Sequence, residues 1–401
     1  MWWIPFLGMF VMLGIAWAMS TNRRAINWRT VATGTVLQFA FAVLILRTRG
    51  GRAVFAAATD AVSAFLDFTD AGASFIFGEG FGEHFFAFKV LPTIIFFSSV
   101  IAVLYHLGIV QKVVKLFAWA MMRLMGTSGS ESLSTSANIF VGQTEAPLLV
   151  RPYIGAMTNS ELMAVMTGGF ATIAGGVLAA YVGMGVEAGH LIAASVMSAP
   201  AALVMAKIMI PETEESATAG EVKLEVESPY VNLIDAAAEG AAAGLRLALT
   251  VGAMLLAFIA LVAVVNAFFG KVGGLFGFES LSLEWLLGQL FRPLAWLMGV
   301  PWEEADQVGA LLGIKTVINE FVGYAEMRRM VAAGELTARS EVIATYALCG
   351  FSNFSSIAIQ IGGIGGIAPE RKSDLARLGL RAMIAGSLAC FQTATIAGML
   401  L

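Results

Sequence analysis

Long apolar runs separated by short polar punctuation make up most of this chain. Runs of bilayer-crossing length, about 17 to 25 residues, are expected at residues 2–20, 31–46, 85–109, 161–182, 188–210 and 237–269, with two more after residue 340. The run at 237–269 is long enough to tilt. The one at 281–299 reads either as a span or as part of a packed loop ending at Pro301. Residues 53–77, with Asp60, Asp67 and Asp70, and residues 113–124, with Lys115 and Arg123, instead alternate charge with apolar positions. Both read as amphipathic helices lying at a membrane surface. Lys89, near the start of the third run, is expected to snorkel to the interface. Arg246, inside the long run, either snorkels or faces the bundle.

Polar segments that interrupt this pattern hold the candidate chemistry. In Asn138-Ile-Phe-Val-Gly-Gln-Thr-Glu-Ala-Pro147 an amide, a hydroxyl and a carboxylate stand in consecutive positions, Gln143, Thr144 and Glu145. Gly142 before them and Pro147 after them argue against an undisturbed helix. The serine- and threonine-rich run at 126–138 leads in, and Leu148 to Tyr153, with Arg151, would return the chain to its starting side. In hydrocarbon, broken backbone and polar side chains survive only where protein buries them or water reaches them. The stretch alone therefore reads either as a loop outside the membrane or as a broken segment within it. Residues 211–231 are acidic and poor in apolar positions, an extramembrane loop that topology counting places in the cytoplasm.

Composition fixes the class. The 401 residues are 58% hydrophobic and 13% charged, against about 25% charged in soluble domains, so an all-α polytopic membrane protein is expected. A net charge of -4 without a basic cluster points away from nucleic acid. Cys349 and Cys390 read as reduced packing residues. His84, His106 and His190 lack metal-ligand spacing and read as interfacial or satisfied histidines. No basic region precedes the first run, which reads as a retained span.

An internal repeat changes the weight of the polar stretch. Ser160-Glu-Leu-Met-Ala-Val-Met-Thr-Gly-Gly-Phe-Ala-Thr172 resembles Ser340-Glu-Val-Ile-Ala-Thr-Tyr-Ala-Leu-Cys-Gly-Phe-Ser-Asn353, with one extra residue in the second copy. A polar segment ending in a glutamate precedes each copy, Glu145 in the first and Glu320 in the second. Paired, interrupted hydrophobic segments in two halves are the sequence mark of a secondary transporter's midplane site. If 281–299 does not cross, the chain has about eight transmembrane helices and two re-entrant hairpins, with both termini outside and the repeat inverted. The basic loops Asn22-Arg-Arg-Ala-Ile-Asn-Trp-Arg29 and Pro369-Glu-Arg-Lys-Ser-Asp-Leu-Ala-Arg377 are then cytoplasmic.

Gly142-Gln-Thr-Glu-Ala-Pro147 with Arg151-Pro152, Asn319-Glu-Phe-Val322 and Cys349-Gly-Phe-Ser-Asn-Phe-Ser-Ser356 closely resemble bacterial concentrative nucleoside transporters. The resemblance runs over nearly the whole chain. It implies a homotrimer in the bacterial inner membrane, importing nucleosides of the uridine, cytidine and adenosine class with sodium by an elevator-type movement. It implies that Glu320, Asn353 and Ser356 hold the ribose and that Gln143, Thr144 and Glu145 read the base. Val177 and Phe351 would form apolar walls, and Leu255 a contact from the scaffold. Sodium would be held by the Asn138 side chain, the Val141 carbonyl, the Thr172 hydroxyl and the Ile173 carbonyl.

On this division residues 1–125 form the scaffold's first part and 126–210 one transport half. Residues 211–300 hold the acidic loop and the long scaffold span, and 301–401 the second transport half. A proton-coupled nucleoside symporter is the alternative, since Glu145 can titrate. A structural ion pair of Glu145 or Glu320 with Lys315 or an arginine is the non-functional alternative for the two carboxylates. No organic cofactor is expected, and the motifs of an intramembrane hydrolase are missing from the sequence. Passive flux insensitive to an ion gradient would mark a channel instead.

Overall fold

Every regular element among the described residues is helical. The computed structural model describes residues 3–84, 86–219, 230–278 and 281–401. Its first half holds α1 (Trp3–Ala18), α2 (Trp28–Leu46), α3 (Arg49–Phe77), α4 (Leu91–His106), α5 (Ile109–Met125) and α6 (Gly129–Ala137). The single turn α7 (Arg151–Ile154) then leads to α8 (Asn159–Ala171), α9 (Gly175–Gly183) and α10 (Ala188–Met209). The second half holds α11 (Leu233–Leu275), α12 (Leu283–Leu297), α13 (Ala305–Val317) and α14 (Glu320–Ala332). It closes with α15 (Ala338–Leu348), α16 (Phe354–Ile367) and α17 (Lys372–Leu400).

Six segments among the described residues are long and apolar enough to cross a membrane: Trp28–Leu46, Phe86–His106, Asn159–Gly183, Ala188–Met209, Leu233–Leu275 and Pro369–Leu400. The two other expected spans are shorter as single helices. Helix α1 has 16 residues, and the run after Ser340 is divided into α15 with 11 and α16 with 14. Helix α11 has 43 residues, about 64 Å at ~1.5 Å each, twice the ~30 Å hydrocarbon core. It must tilt steeply or project into water.

Local sequence explains where the helices begin. Ser128 with Glu131 and Thr158 with Glu161 form capping boxes at the starts of α6 and α8. Asparagines start four more: Asn27 caps α2, Asn232 caps α11, Asn319 caps α14 and Asn353 caps α16. The core lies around α8, α10 and α17. In the apolar spanning stretch of Asn159–Gly183 94% of the residues are buried and in that of α10 89%, against 11% in that of α11. Helix α11 packs chiefly along α4, so most of its apolar surface faces outward and needs an apolar covering.

Beneath the core, buried charges tie the helix starts together. Lys207 on α10 meets Glu131 Oε2 at 2.7 Å and Glu212 Oε2 at 3.2 Å. Glu161 Oε1 accepts from the hydroxyls of Ser128, Ser130, Ser216 and Thr218 at 2.6 to 3.2 Å. The chain after α10 is thereby fastened to the bases of α6 and α8.

The structure bears on several expectations. Lys89 is partly exposed, and its Nζ pairs with Asp70 Oδ2 at 3.1 Å, joining the π-helical turn Phe86–Val90 to α3. The 281–299 run forms the short α12, packed closely on α13, which is the packed alternative. Arg246 is exposed on α11 and does not turn into the bundle. The amphipathic stretches are helical but longer than expected, because Thr48 caps α3 ahead of Arg49 and Gly108 precedes α5. Cys349 and Cys390 are buried free thiols. His190 is satisfied, with Nδ1 3.3 Å from the Tyr346 hydroxyl. The first run's Trp2, the third run's Phe85, the side chain of His84 and residues 220–229 of the acidic loop lie outside the described residues.

Candidate functional site

Three interruptions of helical backbone meet in the core. Helix α8 ends at Thr172, whose φ of -126° and ψ of 170° are extended, and α9 starts after Ala174. Helix α13 gives way to α14 at Ile318 and Asn319, and α15 to α16 between Cys349 and Asn353. The first and third interruptions touch, since the Phe351 amide donates to the Thr172 carbonyl at 3.2 Å. Gly350 permits the approach, because a β-carbon there would stand 2.8 Å from the Phe170 carbonyl oxygen.

A continuous hydrogen-bonded chain crosses this meeting point. Gln143 Nε2 donates to Ser356 Oγ at 3.3 Å. The Ser356 amide donates to Asn353 Oδ1 at 2.9 Å, and Asn353 Nδ2 donates to Glu320 Oε2 at 3.1 Å. The hydroxyl of Tyr181 on α9 supplies the last link, donating to Glu320 Oε1 at 3.0 Å. Gln143, Asn353, Ser356 and Glu320 are all buried. Each Glu320 oxygen has one donor and keeps lone-pair capacity, so the carboxylate can accept hydroxyls of a diol. Lys315 instead donates to the Ala347 carbonyl at 2.8 Å, so an ion pair does not account for Glu320.

The polar tip divides into two faces. Gln143 points to α16 and α8, and Thr144 lies against α16, where a β-carbon on Gly363 would stand 3.0 Å from its Cγ2. Glu145 is exposed on the other face, at the wall of a cavity of about 850 Å³ between the tip, α4 and α11. Tyr105, Phe140, Arg151, Tyr153 and Tyr230 also line that cavity. Val177 is buried in the first turns of α9, beside Gly175 and Gly176 of the cavity wall. Phe351 is partly buried against the core. Helix α11 brings Leu247 to the cavity, next to Gly176, while Leu255 further along the same helix is buried.

The four expected cation ligands fall in two adjoining stretches. The Gly175 amide donates to the Phe140 carbonyl at 3.2 Å. On the other side Thr135 packs on Gly168, its Cα 3.3 Å from where a β-carbon would be. These contacts bracket Asn138 and Val141 against Thr172 and Ile173. Asn138 is buried, its Nδ2 donates to the Ser134 carbonyl at 3.0 Å, and its Oδ1 has no partner. The Thr172 hydroxyl donates to the Gly168 carbonyl at 2.9 Å, which leaves its oxygen free to accept. An orphaned amide oxygen, a hydroxyl oxygen and two carbonyls suit a hard monovalent cation. No cluster of His, Cys, Asp and Glu capable of holding a metal occurs among the described residues.

The sequence pattern does not mark Tyr181 or Gln360. Tyr181 sits in an apolar helical run, and its ring packs 4.3 Å from that of Tyr324. Gln360 Nε2 donates to Gln143 Oε1 at 3.0 Å. The one available signal was a lone amide in the apolar run Ile357-Ala-Ile-Gln-Ile-Gly362, since intramembrane polar residues need partners.

Comparisons with known proteins agree over the whole length. Residues 7–80 match the family model "Na+ dependent nucleoside transporter N-terminus", 87–188 match "Nucleoside recognition", and 190–398 match "Na+ dependent nucleoside transporter C-terminus". An uncharacterized transporter of Haemophilus influenzae is 50% identical over 98% of this chain and 96% of its own. Sodium/nucleoside cotransporter 1 of Rattus norvegicus is 45% identical over 99% of this chain, which spans 63% of that longer protein. Solute carrier family 28 member 3 of Eptatretus stoutii is 44% identical, with 60% of its length spanned. CNTnw in an inward-facing substrate-bound state superposes with a TM-score of 0.94 at 48% identity, covering 99% of this chain and 97% of that one. A variant of CNTnw in an outward-facing state gives 0.94 at 47% identity, covering 100% and 97%.

Proposed function

This chain belongs to the Na+ dependent nucleoside transporter family, and from that premise we propose that it is a sodium-coupled nucleoside symporter. The observation that carries this reading is the buried chain Gln143–Ser356–Asn353–Glu320–Tyr181, with the Phe351 amide linking its interrupted helix to Thr172 of the expected cation set. It joins the polar tip of the first half to the interrupted helices of the second. Glu320 and Asn353, with Ser356, accept and donate to the ribose hydroxyls. Gln143 and Thr144 meet the base, and Glu145 faces the cavity through which the nucleoside reaches them. Val177, Phe351 and an α11 leucine form the apolar walls.

Sodium at Asn138, Val141, Thr172 and Ile173 neutralises the oxygen cluster and fixes the hairpin tip that carries Gln143. Relatives in inward- and outward-facing states support alternating access. We read the movement as an elevator-type displacement of residues 126–210 and 301–401 against a scaffold built on α4 and α11. We read the assembly as a homotrimer in a bacterial inner membrane, the outward apolar face of α11 being covered by lipid or a neighbouring copy. The half-chains then contribute two re-entrant hairpins, 129–154 and 305–332, as an inverted repeat.

Radiolabelled uridine uptake into proteoliposomes tests the coupling. Accumulation under an inward sodium gradient, and none under a proton gradient, is the expected result. Uptake driven only by protons would keep the nucleoside assignment and transfer the coupling role to a carboxylate such as Glu145.

A further inference from the structure

Gln360 on α16 is fully buried, and its Nε2 meets two acceptors, Gln143 Oε1 at 3.0 Å and the Met166 carbonyl at 3.1 Å. Two acceptors on one side decide which end of this amide is nitrogen, since its oxygen could donate to neither. Its own Oε1 is left without a partner, so the two bonds made by the nitrogen outweigh an unsatisfied acceptor. The orientation of Gln143 follows. The atom it turns to Gln360 is its carbonyl oxygen, and its Nε2 is the end left for a ligand. In this structure Nε2 reaches only Ser356 Oγ, at a long 3.3 Å. Gly169 lets the two amides lie this deep, because a β-carbon there would stand 2.8 Å from Gln360 Nε2 and 2.9 Å from Gln143 Cβ.

We propose that Gln360 is a specificity-setting positioning residue: by holding the carbonyl of Gln143 against α16 it fixes the amide so that its N–H donors, and not its oxygen, face the nucleobase, and the site favours a base with a carbonyl on the edge remote from the sugar. The inference rests on the reading of Gln143 as a base contact. A free glutamine amide can turn over, meeting the 4-carbonyl of uracil with its nitrogen or the 4-amino group of cytosine with its oxygen. Held by Gln360, it cannot turn. Cytosine then sets an amino group against an N–H donor, and two buried donors go unpaired, the costly case in discrimination by hydrogen bonding.

The test compares uridine and cytidine in the reconstituted full-length protein. The wild type should favour uridine roughly tenfold, about the worth of one hydrogen bond. Equal affinity for the two would overturn the proposal without any variant having to fold. In Gln360→Met, which keeps the shape and removes the donor, the ratio should fall close to one. A merely structural role would lower both nucleosides together, and an unchanged ratio would overturn the proposal. Gln143→Met distinguishes the two levels. If it alters neither nucleoside, the base-contact reading itself fails. If it removes the discrimination that Gln360→Met retains, only the role of Gln360 fails.

Discussion

The Phe351 amide donates to the Thr172 carbonyl at 3.2 Å, joining the interruption between α15 and α16 to the one between α8 and α9. Thr172 stands in the proposed cation set and Phe351 in the proposed nucleoside wall. One backbone hydrogen bond therefore spans the two sites. A cation that fixes the extended backbone at Thr172 also fixes Phe351 and the helix start at Asn353, three residues from Ser356. Affinity for one ligand then depends on the other, and the dependence must be reciprocal.

Replacing both side-chain oxygens of the cation set tests its composition. Asn138→Leu with Thr172→Val should abolish sodium dependence while leaving the chain folded, since both side chains are buried and the replacements are of similar size. Sodium-stimulated uptake that persists in the double variant would place the cation elsewhere.

Tyr181→Phe removes one hydroxyl and keeps the ring packed against Tyr324 and Phe321. Glu320 then loses the donor at 3.0 Å that holds one of its oxygens. Uridine KM should rise roughly tenfold, the worth of a bond to a charged group, with little change in thermal stability. Equal KM values would show that Asn353 alone suffices to orient the carboxylate.

How much of this was legible in the sequence differs by level. Asn319 and Asn353 stood out as polar positions in interrupted apolar segments, but that each caps a helix shows only in the structure. The interruption at Thr172 was visible through the glycines around it. Tyr181 and Gln360 were hidden because their roles depend on partners 139 and 217 residues away, and no local pattern encodes such pairings. The division of the tip, with Gln143 inward and Glu145 toward the cavity, was hidden for the same reason. The Asp70 partner of Lys89 was hidden because a span boundary says nothing about which neighbouring helix supplies a carboxylate.

Gly169→Ala places a methyl group 2.9 Å from Gln143 Cβ and 2.8 Å from Gln360 Nε2. The amides must retreat, at a cost of about 1–3 kcal/mol for an overfilled core. Nucleoside affinity should fall for every base, and sodium-independent thermal stability should fall modestly. Unaltered uridine binding would mean that the depth of Gln143 does not matter.

Lys207→Met should be among the most destabilising single changes. It leaves Glu131, which is 1% exposed, without its cation at 2.7 Å, a loss of about 3–5 kcal/mol for a broken buried pair. Adding Glu131→Gln should recover part of that loss. Thermal denaturation of the purified protein reads both, and a double variant no more stable than Lys207→Met would contradict the pairing.

The most direct test of the central claim is equilibrium binding of uridine to the purified protein with and without sodium, paired with sodium binding with and without uridine. Joined sites predict that sodium tightens uridine and that uridine tightens sodium by the same factor, both effects disappearing in the Asn138→Leu, Thr172→Val protein. Uridine affinity indifferent to sodium in the wild type would contradict the account.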